Sequence, residues 1–241
     1  MAAARRAPSP RAQTRVLIVD PHPVVRRGLA LLVEQAPSLV ACGEANNFHE
    51  AMTVVGELLP PDVILVVMSA EGAESLELIK SLKGRSPRSR IVVVSMHDAP
   101  AYAERALHAG AGAYVTAHEP AEHVIDAIRA VLRDEVYLSD SLASDLLART
   151  VGTRRSREDV TAPLSDREFE IFELIGQGLG TKEIAEKLFV SVKTIESHRA
   201  HIKQKLNLAG SSELLQYAIQ WTRSDRPEAA HAGPRTVPSD G

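Results

Sequence analysis

Short β-branched runs alternate with amphipathic stretches from Thr14 to about Val136. The runs are RVLIVD, LVACGEA, DVILVV, RIVVVS and AYVT. Interleaved with them are HPVVRRGLALLVEQA, FHEAMTVVGELL, ESLELIKSLK, APAYAERALHAG and PAEHVIDAIRAVLR, whose apolar residues recur at helical spacing. In the last of these, Val124, Ile128, Val131 and Leu132 share a face, while Glu122, Asp126, Arg129 and Arg133 lie elsewhere. Continuous apolar strands separated by helices predict a doubly wound, five-stranded parallel sheet covered on both faces. Sites in such α/β folds form at the carboxyl ends of the strands. Those ends are Asp20, Val67, Ser95 and Thr116.

The pattern changes after residue 138. Ser141 to Arg149 reads as helical, and the charged, polar remainder up to Pro163 has linker composition. From Leu164 the chain is all helix. LSDREFEIFELIGQGLG opens with Ser165 and Glu168 at capping-box spacing and turns Phe169, Phe172 and Ile175 inward. TKEIAEKLFV is a short second helix, and SVKTIESHRAHIKQKL follows a tight turn with Ser191 as its N-cap. SSELLQYAIQW is a fourth helix presenting Leu214, Leu215, Ala218 and Ile219. The expected organisation is a disordered tail (1–13), an α/β domain (14–138), a helical and flexible linker (139–162), a small all-α domain (163–223) and a second disordered tail (224–241).

Composition narrows the function classes. With 44% hydrophobic and 24% charged residues in 241, the chain is ordinary for a soluble globular protein. A net charge of -3 means that any nucleic-acid contact must come from a local patch. Cys42 is alone, so neither an internal disulfide nor a multi-thiolate metal site is expected, and its place in LVACGEA is that of a small apolar residue. MAAARRAPSPRAQT lacks the apolar core of a secretory signal, and no apolar run approaches the roughly 18 residues of a membrane span. A cytoplasmic location is expected.

Charge is polarised within the last domain. Six acids and two bases lie from Pro163 to Glu186; six bases (Lys187, Lys193, Arg199, Lys203, Lys205 and Arg223) and two acids lie from Lys187 to Arg223. Two helices joined by a short turn, the second carrying the positive end, suggest a helix-turn-helix whose third domain helix meets DNA phosphates. LSDREFEIFELIGQGLGTKEIAEKLFVSVKTIESHRAHIKQKL closely resembles the LuxR-type helix-turn-helix of the NarL/FixJ response regulators, with KEIA, LFVSVKT, ES and HR in order. The resemblance implies that Glu196, Ser197 and Ala200 face the bases. It likewise implies that Lys182, Lys193, Thr194, His198, Arg199 and Lys203 hold phosphates. Glu196 could accept from a cytosine amino group, and Ala200 offers only apolar contact to a thymine methyl.

The front domain resembles the receiver domain of the same family through VLIVDPHPVVRRGLALL, PDVIL, VVVSMHD, ALHAGAGAYV and AIRAVLRDEVYLS. Receivers hold Mg²⁺ with paired acids after the first strand and take phosphate on an aspartate ending the third. A hydroxyl after the fourth strand and a lysine after the fifth contact the phosphoryl group. Here the acid pair reads Asp20-Pro21, the acceptor position holds Val67, Ser95 keeps the hydroxyl, and the lysine position holds Ala117. Valine has no oxygen on which an acyl phosphate could form, and one carboxylate is a poor magnesium site. Val67 and Ala117 are expected to extend the apolar core. The domain therefore reads as a pseudo-receiver, with Tyr114 in the aromatic switch position opposite Ser95 and no metal or cofactor. Ser69 is a turn residue rather than a substitute acceptor. Asp20, His22 and Ser95 do not make a hydrolytic triad, because His22 is expected to point away and Ser95 lacks a nucleophile elbow. GAGAYV and GQGLG are loops, not dinucleotide fingerprints.

The expected function is a sequence-specific DNA-binding transcription regulator and not an enzyme. It is expected to be a homodimer on an inverted repeat, with its receiver-like domain acting without phosphorylation, either constitutively or in answer to a ligand or protein partner. The helices APAYAERALHAG and PAEHVIDAIRAVLR are the expected pairing surface. An adaptor that binds another regulator or a kinase is the alternative. An autoinducer sensor of the LuxR type is disfavoured by the βα alternation and by an aromatic content of 4%.

Overall fold

The computed structural model describes residues 13–56, 60–68, 72–96, 100–150 and 161–225. Ser69, most of both expected tails and residues 151–160 of the expected linker lie outside the described residues.

The strands are β1 (Thr14–Val19), β2 (Leu39–Ala45), β3 (Val63–Met68), β4 (Arg90–Ser95), β5 (Ala113–Thr116) and β6 (Tyr137–Leu138). They pair in parallel in the order β2-β1-β3-β4-β5-β6. The sixth strand corrects the expectation of five. Its two residues are too few to carry a periodic signal, and it exists because Tyr137 and Leu138 find backbone partners along β5.

Around the sheet run α1 (Pro23–Glu34), α2 (Phe48–Val55), α3 (Gly72–Arg85), α4 (Pro100–Ala109) and α5 (Glu122–Leu132). Strand alternation sorts the core into two layers. Val16, Ile18, Val63, Leu65, Val92 and Val94 pack with α1 and α5. Leu17, Val19, Ile64, Val66, Ile91 and Val93 pack toward α2, α3 and α4. Val124, Ile128 and Val131 are buried as expected, whereas Leu132 is exposed because it falls at the last, outward turn of α5.

After α6 (Asp140–Thr150) the helical part comprises α7 (Asp166–Gly176), α8 (Thr181–Lys187), α9 (Val192–Lys205) and α10 (Ser211–Asp225). The capping box forms: Ser165 Oγ accepts from the Glu168 amide, and Glu168 Oε2 accepts from the Ser165 amide at 2.8 Å. Phe169 and Phe172 meet Trp221 edge-on, at 5.2 and 5.7 Å between centroids. On α10, Leu214 and Ala218 are buried, but Leu215 is exposed, since the packed stripe follows i, i+4, i+7 through Trp221 and leaves its neighbour outside.

α7 lies on α3 and α4. Asp166 accepts from Lys80 at 2.6 Å, and the Tyr102 hydroxyl donates to Glu173 Oε2 at 2.6 Å. Arg105 donates to the carbonyls of Thr161 and Leu164. The α4 surface expected to serve receiver pairing is therefore partly covered by the chain's own helical part.

Candidate nucleic-acid interface

The turn between α8 and α9 is set by Phe189, which takes a left-handed φ of 52° and projects its ring into solvent. Ser191 then caps α9, its Oγ accepting from the Thr194 amide at 3.1 Å. Ile195 and Ile202 are fully buried and anchor the helix against α7 and α8. Lys193, Glu196, Ser197, Ala200 and Gln204 form the opposite, exposed stripe at helical spacing. Lys182 is exposed on α8, while Thr194, His198, Arg199 and Lys203 are half-buried along the flanks.

The acids that outnumber bases on α7 are mostly engaged inward. Asp166 meets Arg105, Glu168 meets Lys205 at 2.6 Å, Glu170 meets Arg167 at 2.6 Å, and Glu173 meets Tyr102. Lys182, Lys187, Lys193, Arg199 and Lys203 make no ion pair among the described residues. Positive charge is thus left uncompensated around α9, which is what phosphate contact requires.

Two groups depart from a simple cationic role. Burial pulls the His198 imidazole below the ordinary histidine range, so at neutral pH it is an uncharged donor; its Nδ1 is buried without a partner among the described residues. Burial also lowers Arg199, which as a guanidinium stays charged. Burial opposes ionisation of Glu168, but hydrogen bonds from Lys205 and Ser165 outweigh it and hold the carboxyl below its usual range. Ligand atoms of Glu168, His198 and His201 come within 4.8 Å of one another, as a metal site would need. The Glu168 carboxylate, however, is already engaged by Lys205 at 2.6 Å.

The receiver-like positions gather at the carboxyl end of the sheet. Val67 is buried at the end of β3, Asp20 is buried at the end of β1, and Pro21 is exposed beside it. Ser95 and Tyr114 are fully buried on the neighbouring strands β4 and β5. Ala117 corrects an expectation: it is exposed rather than in the core, because the chain leaves the sheet after Thr116 and turns back through Glu119. His22 corrects another. It does not point away, since its amide donates to Asp20 Oδ1 at 2.6 Å and its Nδ1 lies 3.1 Å from the same oxygen.

Beside these residues lies a cavity of about 210 Å³, lined among others by Asp20, Asn47, Phe48, Val67, Glu74 and Ser75. The sequence reading named two of these six residues. The others come from the β2–α2 loop (Asn47), the start of α2 (Phe48) and α3 (Glu74 and Ser75), and lone Asn, Phe, Glu and Ser residues carry no motif signal. The contact residues Lys80, Tyr102 and Arg105 were missed for the same reason; a tyrosine and an arginine amid the alanines of α4 are the one hint.

Comparison with known proteins agrees with this geometry. A profile described as "Response regulator receiver domain" matches residues 16–130, and one described as "Bacterial regulatory proteins, luxR family" matches residues 162–218. The chain is similar to the oxygen regulatory protein NreC of Staphylococcus carnosus, 35% identical over 210 residues covering 86% of this chain and 97% of the relative. It is 36% identical to NreC of Staphylococcus aureus over 211 residues, with 86% and 97% covered. Among solved structures, RcsB of Salmonella typhimurium superposes with a TM-score of 0.57 at 26% identity, covering 87% of this chain and 98% of that one. An RcsB–DNA complex superposes with a TM-score of 0.52 at 25% identity, covering 85% and 97%.

Proposed function

The chain belongs to the LuxR family of response regulators and is a DNA-binding transcription regulator, and from this premise we propose that it works without phosphorylation of its front domain. The observation that carries the proposal is Val67, a buried hydrocarbon at the position where receivers carry the acceptor carboxylate. No acyl phosphate can form on it. The changes to Pro21 and Ala117 remove the second acid and the lysine that would steady a phosphoryl group. The front domain, taken as 14–138, is a pseudo-receiver, and the segment 163–223 is the DNA-binding module.

In that module, Glu196, Ser197 and Ala200 read bases in the major groove, while Lys182, Lys193, Thr194, Arg199 and Lys203 hold phosphates, with His198 as a neutral donor. The exposed stripe of Lys193, Glu196, Ser197 and Ala200 on α9, with Thr194, His198, Arg199 and Lys203 on its flanks and Lys182 on α8, supports the assignment. RcsB is described as dimers bound to DNA; by likeness this chain binds double-stranded DNA as a homodimer, on an inverted repeat. The protein acts in the cytoplasm and has no enzymatic activity of its own; among the described residues, no helix is long and apolar enough to cross a membrane.

The test is binding of the full-length protein to genomic DNA fragments, untreated and after incubation with acetyl phosphate and Mg²⁺, alongside its intact mass. Equal specific binding and unchanged mass are expected. Binding that appears only after treatment, or an added phosphate on the front domain, overturns the reading of Val67.

A further inference from the structure

We propose that the cavity beside Asp20 binds a small organic cation: a primary ammonium group on a short apolar stem. The inference rests on the reading that position 67 carries no phosphate. The cavity opens where the chain order of the sheet reverses, between β1 and β3, which is where ligands of open α/β sheets are held.

Its deepest polar group is unsatisfied. Asp20 is 2% exposed, and its Oδ1 is taken by His22, but Oδ2 is buried with no hydrogen-bond partner among the described residues. A buried carboxylate oxygen in that state is costly, and a charge-assisted hydrogen bond relieves it. Among the described residues, the other charged residue lining the cavity is also an acid, Glu74, and no lysine or arginine lines it. Arg26 is near but committed elsewhere, donating to the Asp20 backbone carbonyl at 2.8 Å and to Glu44 at 2.9 Å. An anion would thus meet two carboxylates and no counter-charge, whereas an ammonium finds Asp20, Glu74 and the Ser75 hydroxyl as acceptors.

Shape argues against a bare metal ion and for an organic stem. A divalent ion held by one or two carboxylates relies on waters and substrate phosphate for its remaining ligands, and with position 67 read as carrying no phosphate, no phosphoryl group forms here to complete that set. Val67, Leu78 and the Phe48 ring supply apolar wall instead. At about 210 Å³ the space is below the 300–1,000 Å³ or so of sites for drug-sized ligands, so the occupant is compact. The occupant also touches α3 at Glu74, Ser75 and Leu78, and the same helix carries Lys80 to Asp166 of the DNA-binding part.

The experiment is isothermal titration of the full-length protein, without DNA or phosphodonor, using primary alkylammonium chlorides with stems of increasing length and the matching alcohols. Titrations are repeated with Mg²⁺, with Asp20→Asn and with Glu74→Gln, the last a substitution at an exposed position that leaves the fold intact. Saturable binding of at least one ammonium is expected. It should be absent for its alcohol, weakened about tenfold or more by loss of a charge-assisted bond in Asp20→Asn, and weakened less in Glu74→Gln. No saturable ammonium binding, equal binding of the alcohol, retention in a folded Asp20→Asn protein, or saturation by Mg²⁺ alone overturns the proposal. A phosphorylated front domain would be caught separately by the mass measurement with acetyl phosphate.

Discussion

Arg105 on α4 is bound twice by α7: its Nη1 donates to Asp166 Oδ1 at 2.9 Å, and its guanidinium carbon lies 4.3 Å from the centroid of the Phe169 ring. Both partners of the ion pair are largely buried, with side-chain exposures of 16% and 19%. Lys80, the second cation on Asp166, is 48% exposed. Burial therefore assigns the contact to Arg105, since half-exposed pairs are worth little. Asp166→Ala and Arg105→Ala should each cost about 1–3 kcal/mol, whereas Lys80→Ala should stay within about 0.5 kcal/mol. Thermal melting of the two single variants and the double variant measures the coupling. Strictly additive losses would mean that the pair contributes nothing jointly.

Tyr102 gives the same contact a pH dependence. Burial, with the neighbouring Glu173 carboxylate adding to it, raises the Tyr102 phenol well above its ordinary value. The folded state therefore keeps the phenol proton more tightly than the unfolded chain. That stabilisation is fully present below the unfolded pKa of about 10 and is lost as pH rises above it toward the folded value. Melting temperatures should fall more steeply above pH 10 for the native protein than for Tyr102→Phe. At neutral pH the substitution should cost about 1 kcal/mol through the lost hydrogen bond to Glu173.

If Arg199 holds phosphate as proposed, Arg199→Ala removes one such contact while keeping the buried anchors Ile195 and Ile202. DNA affinity should drop on specific and unrelated fragments alike, and the slope of log affinity against log salt should flatten by about one. Glu196→Ala should instead alter which fragments are preferred. Fluorescence anisotropy at several salt concentrations distinguishes the two. An unchanged salt slope for Arg199→Ala would remove that residue from the phosphate set.

Gly176 on α7 faces Ala218 and Thr222 of α10 at close range. A Cβ built there would lie 2.6 Å from the Ala218 carbonyl oxygen. Alanine improves helix propensity by about 1 kcal/mol, but forced repacking costs about 1–3 kcal/mol, so Gly176→Ala should be destabilising on balance. Chemical denaturation reads the sign directly.

Val67→Asp tests how far the front pocket has committed to an apolar floor. The new carboxylate would sit at a buried position beside Asp20, where no lysine or arginine side chain lines the cavity among the described residues. A loss of about 2 kcal/mol or more is expected in the absence of divalent ions. A melting temperature equal to that of the native protein would mean that the pocket still accommodates an acid pair.

What the sequence determined by itself was everything that repeats locally or travels as a contiguous motif. The five longer strands were legible because parallel strands are apolar throughout. The helices were legible through their spacing, and α7 and α9 through the caps at Ser165 and Ser191. The proposal that the phosphoacceptor is lost comes from the sequence too, because the neighbours of Val67 in the chain match the receiver pattern around that position. Tertiary structure decided the rest, because those features depend on which distant residues meet. It added β6, whose two residues exist as a strand only beside β5. It left Ala117 and Leu215 outside the core, brought His22 onto Asp20, and engaged the acids of α7 so that Lys193, Arg199 and Lys203 of α9 stand without an ion pair among the described residues. It also joined α4 to α7 through Arg105 and Tyr102, and left Asp20 with an unmet oxygen in a cavity. Burial and pairing are properties of three-dimensional neighbours, and periodicity along a chain carries no information about them until the chain is folded.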